Sequence, residues 1–567
     1  MPVYDQLETV WGLGTAENRV AEVRVTAEEG LLLSWARERG HAWAKPLAYP
    51  LPAALAEALG AIARAALDQG ERRTERLGAA LRRELKRRGL PGRFAAAARD
   101  LRRERGEGFP PAQEVSAVRA ALDGRRLLAA EVARFLPAGV QLFPEQILRS
   151  LEYLRLTGEV TAQPAVVWDG AGWRCGRCGS QRIQPAPCAT CGDPACPLCC
   201  DCSVLGEARG CRRLYARPGS PAGHRLPSVV DRDPPLPAAL TAAQRRAAAA
   251  LTSWFRAAES PPELLLWAVC GAGKTLAVRP LVELAIASGW RVLYISPRRE
   301  VIQQVAPDLP AGALTLLTTH QALRWEAAFD LIILDEPDAF PYRGNLLLEQ
   351  AVRRAGRPGC RRVYLTATPD CQMLSAVERG EMAQVLLPVR HHGQPVPVPE
   401  MLTMEGRSEG RLGRQGETRL AAEIMTNQDD ERRSVLLFAP TVELCAAARR
   451  ELEASLAALG RPQPVWWVHS GHPDRKELIG GFRRGECRAL VSTSVLERGV
   501  TFPGVDVIVL HADHPLFDRV GLVQMAGRAG RTAGDPFGRV WFIGARVSGE
   551  MLAARHWITA MNEAARR

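Results

Sequence analysis

WAVCGAGKT, residues 267–275, overlaps the apolar run ELLLWAV and precedes LAVRPLVELAIASG, which has helical spacing. A strand, a tight glycine turn and a helix, in that order, form the arrangement that cradles phosphates. Gly271 and Gly273, on either side of Ala272, let the backbone fold close around oxyanions with amide N–H groups pointing inward. Lys274 can reach the β- and γ-phosphates of a nucleotide, and Thr275 can hold Mg²⁺. The strict pattern places a glycine where this chain has Ala268, so the stretch gains its meaning from companions further along.

The first companion is FDLIILDEPDAFPY, residues 329–342. A β-branched apolar run buries a strand, and two carboxylates emerge at its end. Asp335 can bind Mg²⁺ through water, while Glu336 can orient and deprotonate an attacking water. Sixty residues separate Thr275 from Asp335, enough for intervening βα units. VYLTATP, 363–369, ends another strand with Thr366 and Thr368, hydroxyls suited to coupling a nucleotide to a nucleic acid. Upstream, LPAALTAAQ, 236–244, sets Gln244 at a helix start, where its amide can read an adenine edge; Thr241 as a plain helix N-cap is the rival reading. VLYISPRREVIQQ, 292–304, brings Arg298 and Arg299 to the carboxyl edge of a strand, within reach of phosphates. LLTTHQALR, 316–324, offers Thr319, His320 and Gln321 for sugar–phosphate contacts, with a functionless polar loop as the alternative.

After a Pro- and Gly-rich joint at 391–415 the strand–helix alternation resumes. VWWVHSGHPDRKELIGGFRRGE, 465–486, carries Ser470 in its turn, and VSTSVLERGVTFPGVDVIVL, 491–510, carries Thr493 and Gly499 in a connecting loop. QMAGRAGR, 524–531, begins at Gln524 and projects Arg528 and Arg531 three residues apart, on one face of a helical segment. Facing the phosphate loop across a cleft, those guanidiniums can neutralise charge on a transferring phosphoryl group. The last stretch, ARVSGEMLAARHWITAMNEAARR, reads as an amphipathic closing helix.

The whole chain, 567 residues with a formal charge of +12 and 47% apolar residues, has room for several domains with real cores. The positive charge favours a polyanionic partner, against the plainer reading of a basic enzyme from an arginine-rich proteome. No apolar run approaches the roughly 20 residues of a membrane span, and the start has no secretory pattern. Residues 1–123 read as a mainly helical, basic extension whose stretch 71–94 could lie along a nucleic-acid backbone, and 124–170 as a small winged-helix-like unit. Nine of the fourteen cysteines fall between 175 and 211, which points to a metal module in a reducing compartment. Three C-x-x-C pairs that share no cysteine can be written there, and zinc takes four ligands in a tetrahedron. The preferred pairing is interleaved: Cys175, Cys178, Cys199 and Cys202 for one Zn²⁺, and Cys188, Cys191, Cys196 and Cys211 for a second, with Cys200 spare. One zinc with free thiols, or an iron–sulfur centre, are the alternatives. Residues 217–235 read as a linker.

Taken together, LLLWAVCGAGKT, TTHQALR, LDEPDAFPY, TATP, LERGVTFP and QMAGRAGR resemble the ComFA family of competence helicase-like translocases, over roughly 124 to 567. The resemblance implies an α/β fold with two RecA-like parallel-sheet domains, 236–390 and 391–567, preceded by the zinc module, 171–216, and the N-terminal region. It implies a DNA-dependent ATPase of helicase superfamily 2, driven by ATP and Mg²⁺ along single-stranded DNA. It also implies a ComFC-like competence protein and a ComEC-like membrane channel as partners, at the cytoplasmic face of the membrane, and leaves self-association into a homo-oligomer open. In that frame Lys274, Asp335, Glu336, Arg528 and Arg531 are expected to be catalytic. Gln244, Gly271, Ala272, Gly273, Thr275 and Gly499 are expected to line the nucleotide. Thr366, Thr368 and Gln524 would couple the sites, and Arg298, Thr319, His320, Gln321, Ser470 and Thr493 would contact DNA. Pro337 stands where the family commonly has valine, which stiffens the turn and keeps both carboxylates. A replication-restart helicase, which also joins paired cysteines to a motor, and a zinc-dependent DNA-binding scaffold with weak ATPase are the rival functions.

Overall fold

The computed structural model describes residues 109–567 apart from 170, 220–228, 231–236, 238, 306–312, 404–414, 428–432 and 567, with short parts of the first 108. The linker expected at 217–235 and the basic stretch 71–94 lie mostly outside the described residues. Two compact units emerge: one holds 1–226 with 319–330 and 344–360, the other 227–318, 331–343 and 361–567.

In the first unit, β1 (Leu7–Gly14), β2 (Glu22–Thr26), β3 (Trp43–Pro52) and β4 (Arg99–Asp100) form an antiparallel sheet ordered β2-β1-β3-β4. These strands stand beside the helical positions expected of the extension and were not anticipated. Pro46 and Pro50 read as helix breaks, yet both lie within β3. Proline is tolerated there because, among the described residues, β4 pairs with β3 only at Trp43 and Ala44, and the β1–β3 register shifts beside both prolines.

Next come β5 (Arg125–Leu128), β6 (Thr161–Pro164), a hairpin of β7 (Val166–Trp168) and β8 (Trp173–Cys175), a second of β9 (Ile183–Ala186) and β10 (Cys196–Cys199), and β11 (Arg213–Arg217). β11 runs between β5 and β6, so the cysteine hairpins are an excursion out of one three-stranded sheet. Helices Ala112–Leu122 and Pro144–Leu156 share a core with it through Val118, Leu122, Leu127, Leu151, Leu154 and Tyr215. That core runs across the boundary drawn at 123/124 and takes in a strand from beyond the cysteines.

The rest of the chain builds two six-stranded sheets. The first contains β12 (Glu263–Ala268), β13 (Val292–Ser296), β14 (Leu314–Thr318), β15 (Phe329–Asp335), β16 (Gly356–Thr366) and β17 (Met382–Leu387), ordered β14-β13-β15-β16-β12-β17. β12 pairs in parallel with β16 and β17, and β13 with β14 and β15. The second contains β18 (Glu400–Thr403), β19 (Ser434–Phe438), β20 (Val465–Val468), β21 (Ala489–Ser492), β22 (Val505–Val509) and β23 (Val540–Gly544), ordered β18-β23-β22-β19-β21-β20 and paired in parallel. Every residue of β13, β15, β22 and β23 is buried, as parallel strands covered on both faces require. The joint expected at 391–415 contributes β18, an edge strand of the second sheet. This is the two-lobed α/β architecture that the motif order implies. Among the described residues no helix is long and apolar enough to cross a membrane.

Candidate nucleotide site and metal centres

β12 ends at Ala268, and the chain turns through Gly271 and Gly273, at φ +84° and +74°, into helix Lys274–Ala287. A side chain is strained at those angles, so glycine is what lets the turn close. The acidic motif meets it from the end of β15, two places along the sheet from β12. Lys274 Nζ lies 3.5 Å from Asp335 Oδ1, at the carboxyl end of β15. The Tyr294 hydroxyl, from β13, donates to Asp335 Oδ2 at 2.6 Å, and the Thr275 hydroxyl lies against it.

Burial opposes the Lys274 ammonium, but Asp335, Glu336 and Asp338 outweigh it and raise its pKa. Asp335 is pushed up, by burial first and by Glu336 as well, against the pull of Lys274. Burial also works against the Glu336 carboxylate, yet Arg498 and Lys274 hold its pKa below the usual range. Glu336 is therefore charged at neutral pH, as a base must be before it takes a proton. Its backbone is left-handed at φ +55°, uncommon for a residue with a side chain, and is held by N–H donation to Leu365 O at 2.9 Å. Asp335 Oδ1 and Glu336 Oε2 are buried and, among the described residues, take no hydrogen bond; each faces a cation at 3.5 Å, Lys274 and Arg498 respectively. Buried oxygens of this kind, beside a lysine and a threonine hydroxyl, are the hard donor set that Mg²⁺ selects.

The other lobe approaches through helix Arg519–Ala526 and the turn after it. Gln524, buried, accepts from the Cys270 thiol at 3.2 Å. The Arg531 side chain stands beside Gly271, 3.6 Å from where a Cβ on that glycine would sit, and makes no ion pair among the described residues. Arg528 differs from the expectation of two equivalent fingers. Its guanidinium donates to Glu497 O, at 2.9 and 2.6 Å, and to Val500 O. It therefore braces the loop that carries Gly499, at φ +81°. Burial, with Arg531 nearby, lowers the Arg528 pKa to about 9.

Gln244 sits against the phosphate loop, with both faces of its amide already engaged. Its Oε1 accepts from Thr241 N–H at 2.9 Å in a capping box, and its Nε2 donates to Ala272 O at 2.8 Å. Thr366 and Thr368 donate to the two oxygens of Asp338 at 2.7 and 2.6 Å. Arg298 pairs with Glu497 at 3.4 Å, across from the strand edge where it was expected to meet phosphates. Thr493 is half-buried and Ser470 exposed, the latter beside His469 and His472, whose rings pack with Trp467. In the first unit, the helical turn Thr319–Arg324 buries Thr319 and exposes His320 and Gln321.

Three residues that sequence reasoning left without a role belong to this site: Tyr294, Asp338 and Arg498. Asp338 was the last letter of a motif already in view, and Arg498 preceded Gly499; Tyr294 has no signal beyond its place on a buried strand.

The cysteines gather into two groups, Cys175, Cys178, Cys199, Cys202 and Cys188, Cys191, Cys196, Cys211, with sulfurs within 4.8 Å of one another in each. Cys200 belongs to neither. Opposed sulfurs lie 3.6 Å apart in the first group (Cys175 to Cys202, Cys178 to Cys199) and 3.7 Å in the second (Cys188 to Cys211). A tetrahedron with Zn–S bonds of about 2.3 Å has edges of about 3.8 Å, so each cage fits one zinc ion and has no room for a multi-iron cluster. The thiols of the first cage share their protons: S–H donors from Cys178, Cys199 and Cys202 pull Cys175 strongly down, and Cys178 and Cys202 are pushed up in turn.

The profile of the competence protein ComFA N-terminal domain matches residues 112–216, an AAA domain profile matches 239–402, and the helicase conserved C-terminal domain matches 417–533. The competence protein ComFA of Bacillus subtilis (strain 168) is 32% identical over 438 residues, covering 73% of this chain and 91% of that protein. The competence protein ComFA of Streptococcus pneumoniae (strain ATCC BAA-255 / R6) is 32% identical over 332 residues, 55% of this chain and 75% of that protein. Among solved structures, Mycobacterium smegmatis helicase Lhr bound to ssDNA and AMP-PNP aligns with a TM-score of 0.42 at 17% identity, over 57% of this chain and 50% of that one.

Proposed function

The chain belongs to the ComFA family, and from that premise we propose that this helicase-like, ATP-dependent enzyme is a single-stranded-DNA translocase that drives DNA uptake in natural transformation. One observation carries the reading: Lys274, Asp335 and Glu336 converge on the glycine turn that Arg531 borders from the second lobe.

The Gly271–Thr275 backbone and Lys274 bind the triphosphate. Thr275 and Asp335 would hold Mg²⁺, which when bound neutralises phosphate charge. Glu336 takes the proton of the attacking water, and Arg531 meets the charge that develops on the transferring phosphoryl group. Arg528 holds the loop of Gly499 in place, and Gln244 steadies the phosphate loop from behind. Thr366, Thr368 and Gln524 relay the nucleotide state, and Arg298, Thr319, His320, Gln321, Ser470 and Thr493 contact the strand as the lobes open and close. The two cysteine cages would hold structural zinc, closed to substrate by their four sulfur ligands. The domain limits 236–390 and 391–567 then separate two motor lobes. A ComFC-like protein and a ComEC-like channel at the inner face of the membrane are the partners this role requires.

Phosphate release by the full chain tests the reading. Hydrolysis is expected to rise with single-stranded DNA more than with duplex or RNA, and to vanish in Lys274→Ala. DNA-stimulated hydrolysis that survives Lys274→Ala overturns it.

A further inference from the structure

Where the chain leaves the first sheet after β17, it passes between the phosphate loop and the arginine-bearing turn of the second lobe. Arg390 lies at that crossing and is 1% exposed. Its guanidinium faces four backbone carbonyls. Nε–H donates to Cys270 O at 3.2 Å, in the phosphate loop. Nη1–H donates to Ala529 O and Gly530 O, both at 2.7 Å, and Nη2–H to Gly527 O at 3.1 Å, in the turn that ends at Arg531. The next two residues repeat the pattern. His391 N–H donates to Gly271 O at 3.1 Å, and the His392 ring Nε2 lies 3.1 Å from Gly530 O.

A charge taken out of water without a counter-ion is expensive, and burial lowers the Arg390 pKa to about 10. A buried apolar side chain would fill the same volume at lower cost. What it could not do is fix the direction of four peptide carbonyls from two lobes at once, which the planar five-donor guanidinium does. The contact around it is close enough to need that registration. A Cβ on Gly527 would sit 2.4 Å from the Cys270 Cβ, so the two segments meet backbone to side chain with no slack.

We propose that Arg390 is a positioning residue for phosphoryl transfer. It sets the phosphate loop in register with the turn Gly527–Arg531, so that Arg531 reaches the transferring phosphoryl group in line. Each of its three nitrogens donates to a backbone carbonyl, so it acts through that register and not by binding nucleotide. The inference rests on the ATPase reading above. It adds that the joint between the lobes is a working part of the site.

The test compares wild type, Lys274→Ala, Arg390→Met and Arg390→Lys as full chains with saturating single-stranded DNA, measuring kcat, KM for ATP, and the Kd of a fluorescent ADP analogue. Arg390→Met is expected to lower kcat about 100-fold, the scale of a reacting group misplaced by about 1 Å, while KM and Kd stay within about threefold. Arg390→Lys keeps the charge but offers a single ammonium, and is expected to lower kcat about tenfold. Free guanidinium ion should restore part of the Arg390→Met activity. Should Arg390→Met fail to fold, Arg390→Lys decides alone. A folded variant with wild-type kcat overturns the proposal, as does a rise of KM and Kd in step with the loss of kcat. Absence of turnover in the wild type would instead overturn the ATPase reading, and leave Arg390 with nothing to position.

Discussion

Asp338 accepts a hydrogen bond of 2.6 Å from Arg498, a residue 160 positions away in the second lobe, while its two oxygens also take the hydroxyls of Thr366 and Thr368. Burial resists the charge, but Arg498 prevails and holds the Asp338 carboxyl well below the usual range; Arg498 is raised in turn, by Asp338 and then Glu336, against its own burial. One carboxylate thus ties the threonines of the first lobe to an arginine of the second. Asp338→Asn leaves Arg498 buried without its strongest partner, and is expected to destabilise the two-lobed part of the chain by about 3–5 kcal/mol in chemical denaturation. Because the folded pKa is depressed, the contribution is complete above the unfolded value of about 3.9 and disappears only as pH falls below it. Between pH 5 and 8 the difference between wild type and variant should therefore stay flat.

Tyr294 holds Asp335 by the hydrogen bond at 2.6 Å. Tyr294→Phe removes one donor from a buried carboxylate whose pKa burial has already raised. The pKa should climb further, so the acid limb of the pH–rate profile should move to higher pH. The Mg²⁺ concentration for half-maximal hydrolysis should rise about tenfold, the scale of one charge-assisted hydrogen bond. Titrations of Mg²⁺ at pH 6, 7 and 8 measure both effects; superimposable curves would remove Tyr294 from the site.

The cysteine cages predict metal content. Elemental analysis is expected to give about two zinc per chain under four-ligand stoichiometry. Cys188→Ser should lower this to about one, and Cys200→Ser, outside both groups, should leave it unchanged. Chelation should lower the melting temperature, because binding free energy at a structural site is folding free energy. A single zinc in the wild type would dissolve the interleaved pairing.

Glu131 joins two buried arginines within the first unit. It accepts from Arg177, between two cysteines of one knuckle, and from Arg324 Nε at 2.8 Å, in the turn that exposes His320 and Gln321. Arg324 also donates to Leu205 O at 2.9 Å, just beyond Cys202. Glu131→Gln leaves two guanidiniums short of an anion, and should cost about 3–5 kcal/mol in the melting of that unit. Nucleotide affinity, a property of residues in the other unit, should stay unchanged. Fluorescent ADP binding beside calorimetry separates the two.

The parts of the site legible in the sequence are those whose chemistry needs neighbours along the chain. A phosphate turn needs its glycines and lysine together, and a strand end delivers Asp335 and Glu336 side by side. The grouping of eight cysteines was also within reach, because C-x-x-C spacing limits the combinations and leaves one spare. What stayed hidden depends on segments that are distant in the chain coming together. Arg528 and Arg531 look equivalent in QMAGRAGR, yet the turn sends the Arg528 guanidinium to Glu497 and Val500 carbonyls, while the Arg531 side chain runs beside Gly271. Nothing local to Arg298 reveals the Glu497 that pairs with it. β11 could not be assigned to the β5 sheet, since its partners lie before the cysteines and it lies after them.

The crossing of the two cysteine sets has a practical corollary. The stretch from Cys178 to Cys199 encloses three members of the other set, Cys188, Cys191 and Cys196, while the fourth, Cys211, stands outside. Neither cage can be cut out or grafted elsewhere as a self-contained finger. The smallest transplantable piece runs from 175 to 211, and as β11 follows at once, a graft that keeps its shape must carry the β5–β11 frame with it.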